Sequence, residues 1–366
     1  MKKRIKHIKK LMSLIAKKNK KSKLKALKNI FTITFAGDTS LGDHYLRKYE
    51  NPGLLNRLEN EPLSFFDGVK PLVEGSDYFI LNLETVLTEK PGIPLEGKEY
   101  PNYDNPERMV KALQYLGVTA VSLANNHTMD FGPQLMLQTK NLIENNGIKS
   151  IGAGLNAIEA SKPISFKLIG SNRSKKVFIL SAMRASRRYR EDYNYFANKD
   201  SAGVNRLKTS QMVKQINSIR QNEPDALIIV FPHWQGFDYK QVSEKVHSIC
   251  HKLIAAGADY IIGHGPHTIN EIEKTGQGTI AYSIGNFVFN SPGRYSKFDT
   301  LPYSCIVKIK VYETNEGWQS KPEVYPIITD NRKTDFYVHR ADASEKLEAE
   351  KLLYGKPGDI LLTPSE

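Results

Sequence analysis

Four short segments of the chain each place metal-binding side chains beside a turn, directly after an apolar run. They lie at residues 35–42, 80–84, 121–127 and 260–267. In open α/β sheets, ligands bind in the crevice outside the carboxyl ends of the strands. Carboxylate, amide and imidazole groups that are far apart in sequence can therefore meet there, and the pattern predicts a shared site for one or two cations.

The first two segments supply carboxylates. Asp38 follows the apolar run 32–36, and Gly37 before it allows a sharp backbone turn. The carboxylate is a candidate metal ligand, although a Gly-Asp pair at the end of a strand is also a common turn. Glu84 ends the run 79–83, and its alternative interpretation is an acid that interacts favourably with a helix N-terminus.

The third segment crowds polar groups together. Asn125, Asn126, His127 and Asp130 place two amides, one imidazole and one acid within six residues. Either a turn network or a metal site must satisfy these groups, and the segment alone leaves both interpretations open. Asp130, like Asp43 near the first segment, is interpreted as a supporting or capping carboxylate.

Histidines complete the candidate site. His264 and His267 follow the apolar run 259–263, and the Gly-Pro pair between them predicts a tight turn. Two imidazoles on one turn are typical of sites for divalent transition metals. His233 ends the run 226–232 and is a further candidate ligand.

A second histidine pair, His247 and His251, has i,i+4 spacing on a predicted helix. This spacing places both rings on one helix face, but the sequence shows no third ligand nearby, and we interpret the pair as structural. The two cysteines, Cys250 and Cys305, lack the close spacing of a zinc ribbon or a redox pair. A disulfide framework is therefore excluded, and the cysteine usage suits a reducing compartment.

Positive charge is concentrated at one end of the chain, whose formal net charge is +13. Residues 1–30 contain 13 Lys and Arg and no acid, and residues 31–366 contain 39 basic and 39 acidic side chains. Because the body is neutral overall and no basic patch alternating with aromatics continues from the arm into it, we expect no nucleic-acid partner.

Apolar residues in the 1–30 arm recur at steps of three and four between lysines. This pattern is typical of an amphipathic helix on an anionic membrane surface, and a solvated lysine-rich tail is the alternative. Its apolar runs are too short to span a bilayer. We expect a cytoplasmic protein, peripheral on the inner membrane surface.

Strand-like apolar runs alternate with helical stretches along the body. The runs lie at 31–36, 78–83, 118–123, 148–151, 177–181, 226–231, 259–262, 279–284 and 304–311, and the helical stretches at 105–116, 133–146, 209–221 and 240–256. This alternation predicts a largely parallel α/β sheet, whereas 304–328 predicts paired antiparallel strands. A short helix is expected near 342–354.

Two further segments have the composition of functional loops. Residues 88–104 form a long loop rich in Pro and Gly, and loops of that length are usually functional. Residues 184–203 contain four arginines beside three tyrosines. They form either a mobile surface loop or a lid that binds an anionic substrate through guanidinium groups, with Arg184 as the candidate substrate-binding residue.

Taken together, the motifs resemble those of the bacterial capsule-synthesis CapA family, also called the poly-γ-glutamate capsule family, which is similar to calcineurin-like metallophosphoesterases. The matching motifs run in family order over about residues 31–292: Gly37-Asp38, Asn82-Leu83-Glu84, Ala124 to Gly132, Gly152-Ala153-Gly154, His233-Trp234, Gly263 to His267 and Tyr282 to Phe287. The resemblance implies an α/β fold, a four-layer α/β/β/α sandwich of the metallo-dependent phosphatase type. It would occupy residues 31–330, between the 1–30 arm and a C-terminal extension at 331–366.

The resemblance also implies one or two divalent ions (Mn, Zn or Fe). Six residues would bind them: Asp38, Glu84, Asn126, His233, His264 and His267. Asp38 would bind the first ion and Glu84 would occupy the metal-bridging position. Asn126 and His233 would bind the second ion. Of His264 and His267, one would complete the coordination of the first ion and the other that of the second.

The remaining roles concern the substrate. His127 would donate a proton to the leaving group, and Tyr282 and Asn286 would line the pocket. Phosphoesterases have Asp-x-His at the first strand, whereas Ser40 occupies the histidine position here. One ligand of the first ion is therefore missing.

The expected activity is metal-dependent hydrolysis or transfer at a phosphoester or amide bond. Bound cations polarise the attacked group and acidify water, and His127 protonates the departing atom. The alternative, which Ser40 favours, is a non-catalytic, metal-stabilised accessory subunit of a membrane-associated polymer-synthesis complex. Expected partners are an anionic polymer or phosphoester substrate, an anionic membrane surface and proteins of such a complex.

Overall fold

The computed structural model describes residues 30–184, 186–234, 241–292, 295 and 299–354. Residues 1–29, which carry the predicted amphipathic arm, lie outside the described residues, as do the last twelve residues of the predicted C-terminal extension. Within the described ranges, no helix combines the length and the apolar character needed to cross a membrane.

Eight strands form the first sheet: β1 (Ile30–Ser40), β2 (Tyr78–Leu83), β5 (Ala120–Ser122), β6 (Lys149–Ile151), β17 (Asn286–Phe289), β18 (Tyr303–Thr314), β19 (Gly317–Ile328) and β20 (His339–Arg340). Their order is β20-β19-β18-β1-β2-β5-β6, and β17 also pairs with β1. Strands β1, β2, β5 and β6 are parallel, whereas β18 and β19 form a long antiparallel hairpin. Both predictions for these segments are confirmed.

Six strands form the second sheet: β8 (Ile164–Ile169), β9 (Ser174–Leu180), β12 (Leu227–Val230), β14 (Tyr260–Ile262), β15 (Ile272–Lys274) and β16 (Thr279–Ala281). Their order is β15-β16-β14-β12-β9-β8, with a parallel centre and antiparallel edges. The short strands form three further pairs: β3 (Val86–Leu87) with β4 (Tyr103–Asp104), β7 (Ala153–Gly154) with β11 (Gly203–Val204), and β10 (Met183–Arg184) with β13 (His233–Trp234).

The helices of the described chain are α1 (Asp43–Tyr49), α2 (Pro52–Asn60), α3 (Lys70–Val73), α4 (Pro106–Leu116), α5 (Gly132–Asn145), α6 (Ala157–Ala160), α7 (Arg187–Glu191), α8 (Thr209–Asn222), α9 (Glu244–Ala255), α10 (Asn331–Thr334) and α11 (Ala343–Tyr354), with a 3₁₀ turn at Pro62–Phe66. Helix α4 shows why the predicted boundaries hold. The Asn105 side chain caps its first turn, and Gly117, in the left-handed region at φ 75°, ends it.

Alternation of side chains along the strands separates three apolar cores. Ile229 of β12 packs between the two sheets with Ile33 of β1, whereas its neighbours Ile228 and Val230 pack under α8 and α9. A third core joins the outer face of the first sheet to helices that include α4 and α5. The layers are therefore helix, sheet, sheet and helix, and the predicted four-layer α/β/β/α sandwich is confirmed.

The chain passes from the second sheet to the first between β16 and β17, and this junction is very tight. The Asp38 backbone N–H donates to the Gly285 carbonyl at 3.1 Å. A Cβ atom added at Gly37 would lie 1.7 Å from that carbonyl oxygen, so only glycine fits there. In register, Asp38 pairs with Asn82 on β2 and with Asn286 on β17. Strand ends of both sheets consequently meet at Asp38.

Candidate metal centre

The six predicted ligands meet where the strands of the two sheets end; we refer to Asp38, Glu84, Asn126, His233, His264 and His267 as the strand-end centre. Asp38 lies two residues before the end of β1, Glu84 directly follows β2, and His264 follows β14 by two residues. The backbones of His233 and His264 pair with each other through an isolated parallel bridge. The strand-end pattern in the sequence therefore corresponds to real proximity.

One group of donors forms around the first oxygen of Asp38. The Nδ1 atom of His264 lies 3.1 Å from Asp38 Oδ1 and 3.1 Å from Nδ1 of His233. On the far side of the His233 ring, Nε2 lies 2.7 Å from Oδ1 of Asn126. Asp38, His233 and His264 can thus offer one ligand atom each to a shared cation.

A second group forms around the other oxygen of Asp38. His267 Nδ1 lies 3.1 Å from Asp38 Oδ2, and its Nε2 lies 4.0 Å from Glu84 Oε1. Asn286 Oδ1 contacts the same His267 Nδ1 at 2.8 Å. His267 has a left-handed backbone at φ 63°, which the Gly-Pro turn before it accommodates. Asp38, Glu84 and His267 form the second possible ligand set, and Asp38 contributes one oxygen to each.

Two asparagines hold these carboxylates in place. The Asn82 amide donates to Asp38 Oδ1 and to Glu84 Oε2, both at 2.9 Å. Its own carbonyl accepts from the Asn125 amide at 3.0 Å. Asn82 stands inside the Asn-Leu-Glu motif, yet the sequence analysis assigned it no role. Alternation on β2 was the available signal, because Asn82 and Glu84 are two residues apart and point to the same side.

Burial and charge set the protonation states at the centre. Asp38 is completely buried, which would raise the pKa of its carboxyl group, but hydrogen bonds from His264 and His267 outweigh burial and hold that pKa well below its usual value. Burial, and then repulsion from His264, lower the pKa of His233 well below its usual value. The centre therefore combines an ionised carboxylate with a neutral imidazole at neutral pH, the forms that bind metals.

The donor set fits a divalent cation. The Nδ1 atom of His264 lies 3.1 Å from both Asp38 Oδ1 and His233 Nδ1, so without a cation at most one N–H is shared between these two acceptors. The Nε2 atom of His264 is buried and finds no hydrogen-bond partner among the residues that the structure describes. Imidazole, carboxylate and amide oxygen are together suited to borderline divalent ions. One or two such ions can be held here.

His127 lies beside the centre and is oriented from behind. Its Nδ1 contacts Asp130 Oδ2 at 2.7 Å, which turns Nε2 to within 3.7 Å of Glu84 Oε1. Lys98 Nζ in turn contacts Asp130 Oδ1 at 2.8 Å, with only 5% of its side chain exposed. Burial would lower the pKa of Lys98, but the negative charge of Asp130 more than offsets this and raises it. The Lys98 ammonium therefore stays charged.

Lys98 carries no signal in the sequence, since a single lysine in a long loop forms no pattern. Its loop, residues 88–104, was nevertheless predicted to be functional. Lys98 donates to the backbone carbonyl of Asn126 and lies 2.8 Å from the Tyr189 hydroxyl. The loop thus contacts a candidate ligand, the His127–Asp130 pair and residues 184–203, which we call the arginine-tyrosine segment.

The arginine-tyrosine segment packs on that loop. The guanidinium of Arg188 and the hydroxyl of Tyr193 both donate to the Gly97 carbonyl, at 2.7 and 2.8 Å. The buried Tyr195 donates to the Asn125 carbonyl at 3.1 Å. Arg184 lies in β10 opposite Trp234, the neighbour of His233, and is half-buried. Its predicted contact with substrate remains a prediction.

Two side chains singled out from the sequence point elsewhere. The Tyr282 hydroxyl donates to Glu273 at 2.7 Å and contacts His247 at 2.8 Å, so the structure does not bring it to the strand-end centre. Ser40 donates to Asp104 at 2.8 Å. The Asn102 amide links this hydroxyl to the Glu84 backbone carbonyl, and Ser40 itself supplies no ligand to the centre. Asn286, by contrast, lies at the centre through its contact with His267.

Solved structures with low sequence identity resemble the chain in part. Sulfate thiohydrolase SoxB from Thermus thermophilus aligns with a TM-score of 0.46 at 10% identity, covering 87% of this chain and 59% of that one. GAP50, the anchor in the inner membrane complex of Plasmodium, aligns with a TM-score of 0.39 at 12% identity, covering 92% of this chain and 98% of that one.

Sequence relatives are more informative. PGA biosynthesis protein CapA of Bacillus subtilis (strain 168) is 27% identical over 263 residues, which are 72% of this chain and 64% of the relative. Capsule biosynthesis protein CapA of Bacillus anthracis is 28% identical over 280 residues, which are 74% of this chain and 62% of the relative. The chain thus spans less than two thirds of the length of these relatives. The family model described as "Bacterial capsule synthesis protein PGA_cap" matches residues 32–291, well over half of the chain, and the chain belongs to that family.

Proposed function

We propose that this protein is a metal-dependent hydrolase or transferase in the synthesis of an acidic capsule-type polymer, acting on a phosphoester or amide bond. The family membership supports the process, since relatives carry the names of capsule and PGA biosynthesis proteins. The single observation that supports catalysis is the His127–Asp130 pair, in which the second ring nitrogen, Nε2, lies 3.7 Å from Glu84 Oε1 of the strand-end centre.

Six residues would hold the metal: Asp38, Glu84, Asn126, His233, His264 and His267. When bound, a divalent cation supplies Lewis-acid polarisation of the attacked group and acidification of water. Asn82 keeps Asp38 and Glu84 in a fixed orientation through its two N–H donors. Such preorganisation matters because small displacements of reacting groups lower rates strongly.

His127 would act on the leaving group. Nδ1–H donates to Asp130, whose carboxylate would stabilise the imidazolium form of His127, and in that form the Nε2–H on the side of the centre is the transferable proton. Donation of that proton to a departing oxygen or nitrogen contributes roughly 10²–10⁴-fold to the rate. The buried Lys98 contacts the other oxygen of Asp130 and holds that carboxylate in place, which fixes the orientation of the imidazole.

The test is a panel of generic phosphodiesters and γ-glutamyl peptides, assayed with and without Mn²⁺ or Zn²⁺. We expect metal-dependent turnover that falls by about 10²–10⁴-fold in His127→Ala, with metal content retained. His339→Ala is the matched control, because His339 lies in β20 at the edge of the first sheet, where its ring contacts the backbone carbonyl of Arg340. Metal-dependent turnover unchanged in His127→Ala would contradict the assigned role.

A second candidate function is a non-catalytic, metal-stabilised accessory subunit of a membrane-associated polymer-synthesis complex. Two observations favour it. Ser40 replaces a ligand and commits its hydroxyl to Asp104. A Mycobacterium tuberculosis relative, 28% identical over 226 residues, is named a probable polyglutamine synthesis accessory protein. No turnover across the panel, together with metal-dependent binding of an anionic polymer that His127→Ala leaves unchanged, would decide for this function.

We also propose that the 1–30 arm binds an anionic membrane surface, on the strength of its 13 basic residues without an acid. Each lysine near an anionic leaflet contributes about 1 kcal/mol. Co-sedimentation with anionic vesicles at low salt should be strong for the full chain and lost when residues 1–30 are deleted. Binding that persists after the deletion would refute the proposal.

A further inference from the structure

A second group of metal-type side chains lies away from the strand-end centre, between α9 and the strand β15. We refer to His247, His251, Glu271 and Glu273 as the helix–hairpin cluster. His247 and His251 occupy one face of α9 at i,i+4 spacing, and the two glutamates flank Ile272 on the β15 segment. One ligand atom from each of His247, His251 and Glu273 lies within 4.8 Å of the others.

The contacts within the cluster are pairs of nitrogen and oxygen. His247 Nε2 lies 3.1 Å from Glu271 Oε1, and His251 Nε2 lies 3.2 Å from Glu273 Oε2. These side chains are between 35% and 51% exposed, so an ion from solvent can reach them. The third ligand that the sequence did not reveal is therefore supplied by the edge of the second sheet.

Tyr282 determines which nitrogen of His247 is available. Its hydroxyl donates its only proton to Glu273 Oε2 at 2.7 Å, so its oxygen must accept from the His247 Nδ1–H, which is 2.8 Å away. Burial raises the pKa of Tyr282, and the phenol keeps its proton. The neutral His247 tautomer consequently presents the Nε2 lone pair toward the carboxylates, a repulsive arrangement unless a proton or cation lies between them.

We propose that His247, His251 and Glu273 bind one borderline divalent cation such as Zn²⁺ or Ni²⁺, with Glu271 at the edge of the same site. Two imidazoles and a carboxylate are a common ligand set for such ions. Tyr282 holds both a ligating histidine and a ligating carboxylate, as outer partners of metal ligands do. The bound ion would connect α9 to the β15–β16 hairpin. The inference is independent of the proposed catalytic function.

The experiment uses the full-length protein in an Asp38→Asn background, which removes the carboxylate shared by both donor groups of the strand-end centre. Zn²⁺ is titrated calorimetrically at neutral pH, and bound metal is counted after dialysis. We expect one Zn²⁺ per chain attributable to this cluster. Adding His247→Ala and His251→Ala should lower the affinity at least tenfold, and Glu273→Gln should also weaken binding while keeping an oxygen for the Tyr282 hydroxyl.

Folding is checked by the thermal midpoint in EDTA. Zn²⁺ should raise the midpoint of the background protein and not that of the histidine double variant. The reverse background, with the helix–hairpin histidines replaced and the strand-end centre intact, should lose only this site. Equal Zn²⁺ affinity and stoichiometry with and without His247 and His251 would overturn the proposal, because the contacts would then be imidazolium–carboxylate ion pairs alone.

Discussion

The strand-end centre and the helix–hairpin cluster contain the same kinds of side chain in opposite surroundings. In the former, Asp38, Glu84 and His264 are completely buried and come from both sheets. In the latter, half-exposed side chains come from one helix and one edge strand. Electrostatic interactions are strong where water is excluded and weak where it is not. Burial therefore decides whether the same types of ligand form a preorganised centre or an accessible surface site.

The largest expected effect concerns Asp38, which gives one oxygen to each donor group. Asp38→Asn should eliminate metal binding at the strand-end centre altogether, whereas His264→Ala should remove the ligand set around His233 and leave the fold largely intact. Elemental analysis of the purified variants measures both. Glu273→Gln is the matched control and should leave this centre loaded. An unchanged number of metal ions per chain in Asp38→Asn would contradict the assignment of Asp38 as a ligand of the buried strand-end centre.

The Lys98–Asp130 ion pair should show how much burial strengthens a charge interaction. Lys98→Met leaves the Asp130 carboxylate buried without its counter-ion, and such truncations cost about 3–5 kcal/mol of unfolding free energy. Lys111→Ala breaks an exposed helix pair with Glu107 and should cost much less, because the pair is screened by solvent. Urea denaturation measures both. Equal losses would show that the buried pair is not specially stabilising, and a restored stability in Lys98→Met/Asp130→Asn would support the assignment.

The junction between the sheets should tolerate no added methyl group. Gly37→Ala forces a Cβ atom into the Gly285 carbonyl, and overpacking of this kind typically costs about 1–3 kcal/mol. Because Asp38 is the next residue, metal affinity at the strand-end centre should fall with stability, while Zn²⁺ binding at the helix–hairpin cluster should persist. Gly276→Ala, where a Cβ atom meets nothing within 4 Å, is the control. Parallel loss at both clusters would contradict this separation.

A pH dependence of stability is expected next to β1. Burial, and then repulsion from Asp43, raise the pKa of Asp104 to about 7. The folded state therefore binds more protons than the unfolded state between about pH 4 and pH 7, and this group's contribution to stability falls as the pH rises, by at most about 1.4 kcal/mol per pH unit. Asp104→Asn should remove that slope from denaturation curves recorded between pH 4 and 8. An unchanged slope would contradict the raised pKa.

Much of the fold followed from the sequence because its elements carry local signals. Apolar runs, a capping asparagine and a terminating glycine define elements such as α4 within a residue or two. The strand-end pattern also placed Asp38, His233 and His264 together, since parallel strands deliver their ends to one edge. The order of strands in each sheet was not predicted, because it depends on long-range pairing.

The residues that the sequence did not reveal act across tertiary contacts. Lys98 reaches Asp130 from a long loop, and Glu273 meets a helix through the edge of a sheet, so neither belongs to a periodic pattern. Tyr282 illustrates the converse. It stands inside a family-like motif, yet its side chain lies on the α9 side of the second sheet, packed with Trp234 and Val246. A sequence motif can show which stretch of backbone passes the site. Which of its side chains face the site depends on their alternation between the two faces of the strand.

The crossing of the chain from β16 to β17 limits how far the two sheets can move relative to each other at Asp38. The Gly285 carbonyl packs against Gly37 and accepts from the Asp38 N–H, which holds the two sheets close together at Asp38. A hinge motion that opened the sheets would therefore separate the candidate ligands. Adaptation must then come from the covering segments, the Lys98 loop and the arginine-tyrosine segment packed on it. Under the proposed function, selectivity would reside in the covering segments and metal binding at the strand ends, so exchanging the covering segments between relatives should alter the choice of substrate without altering metal affinity.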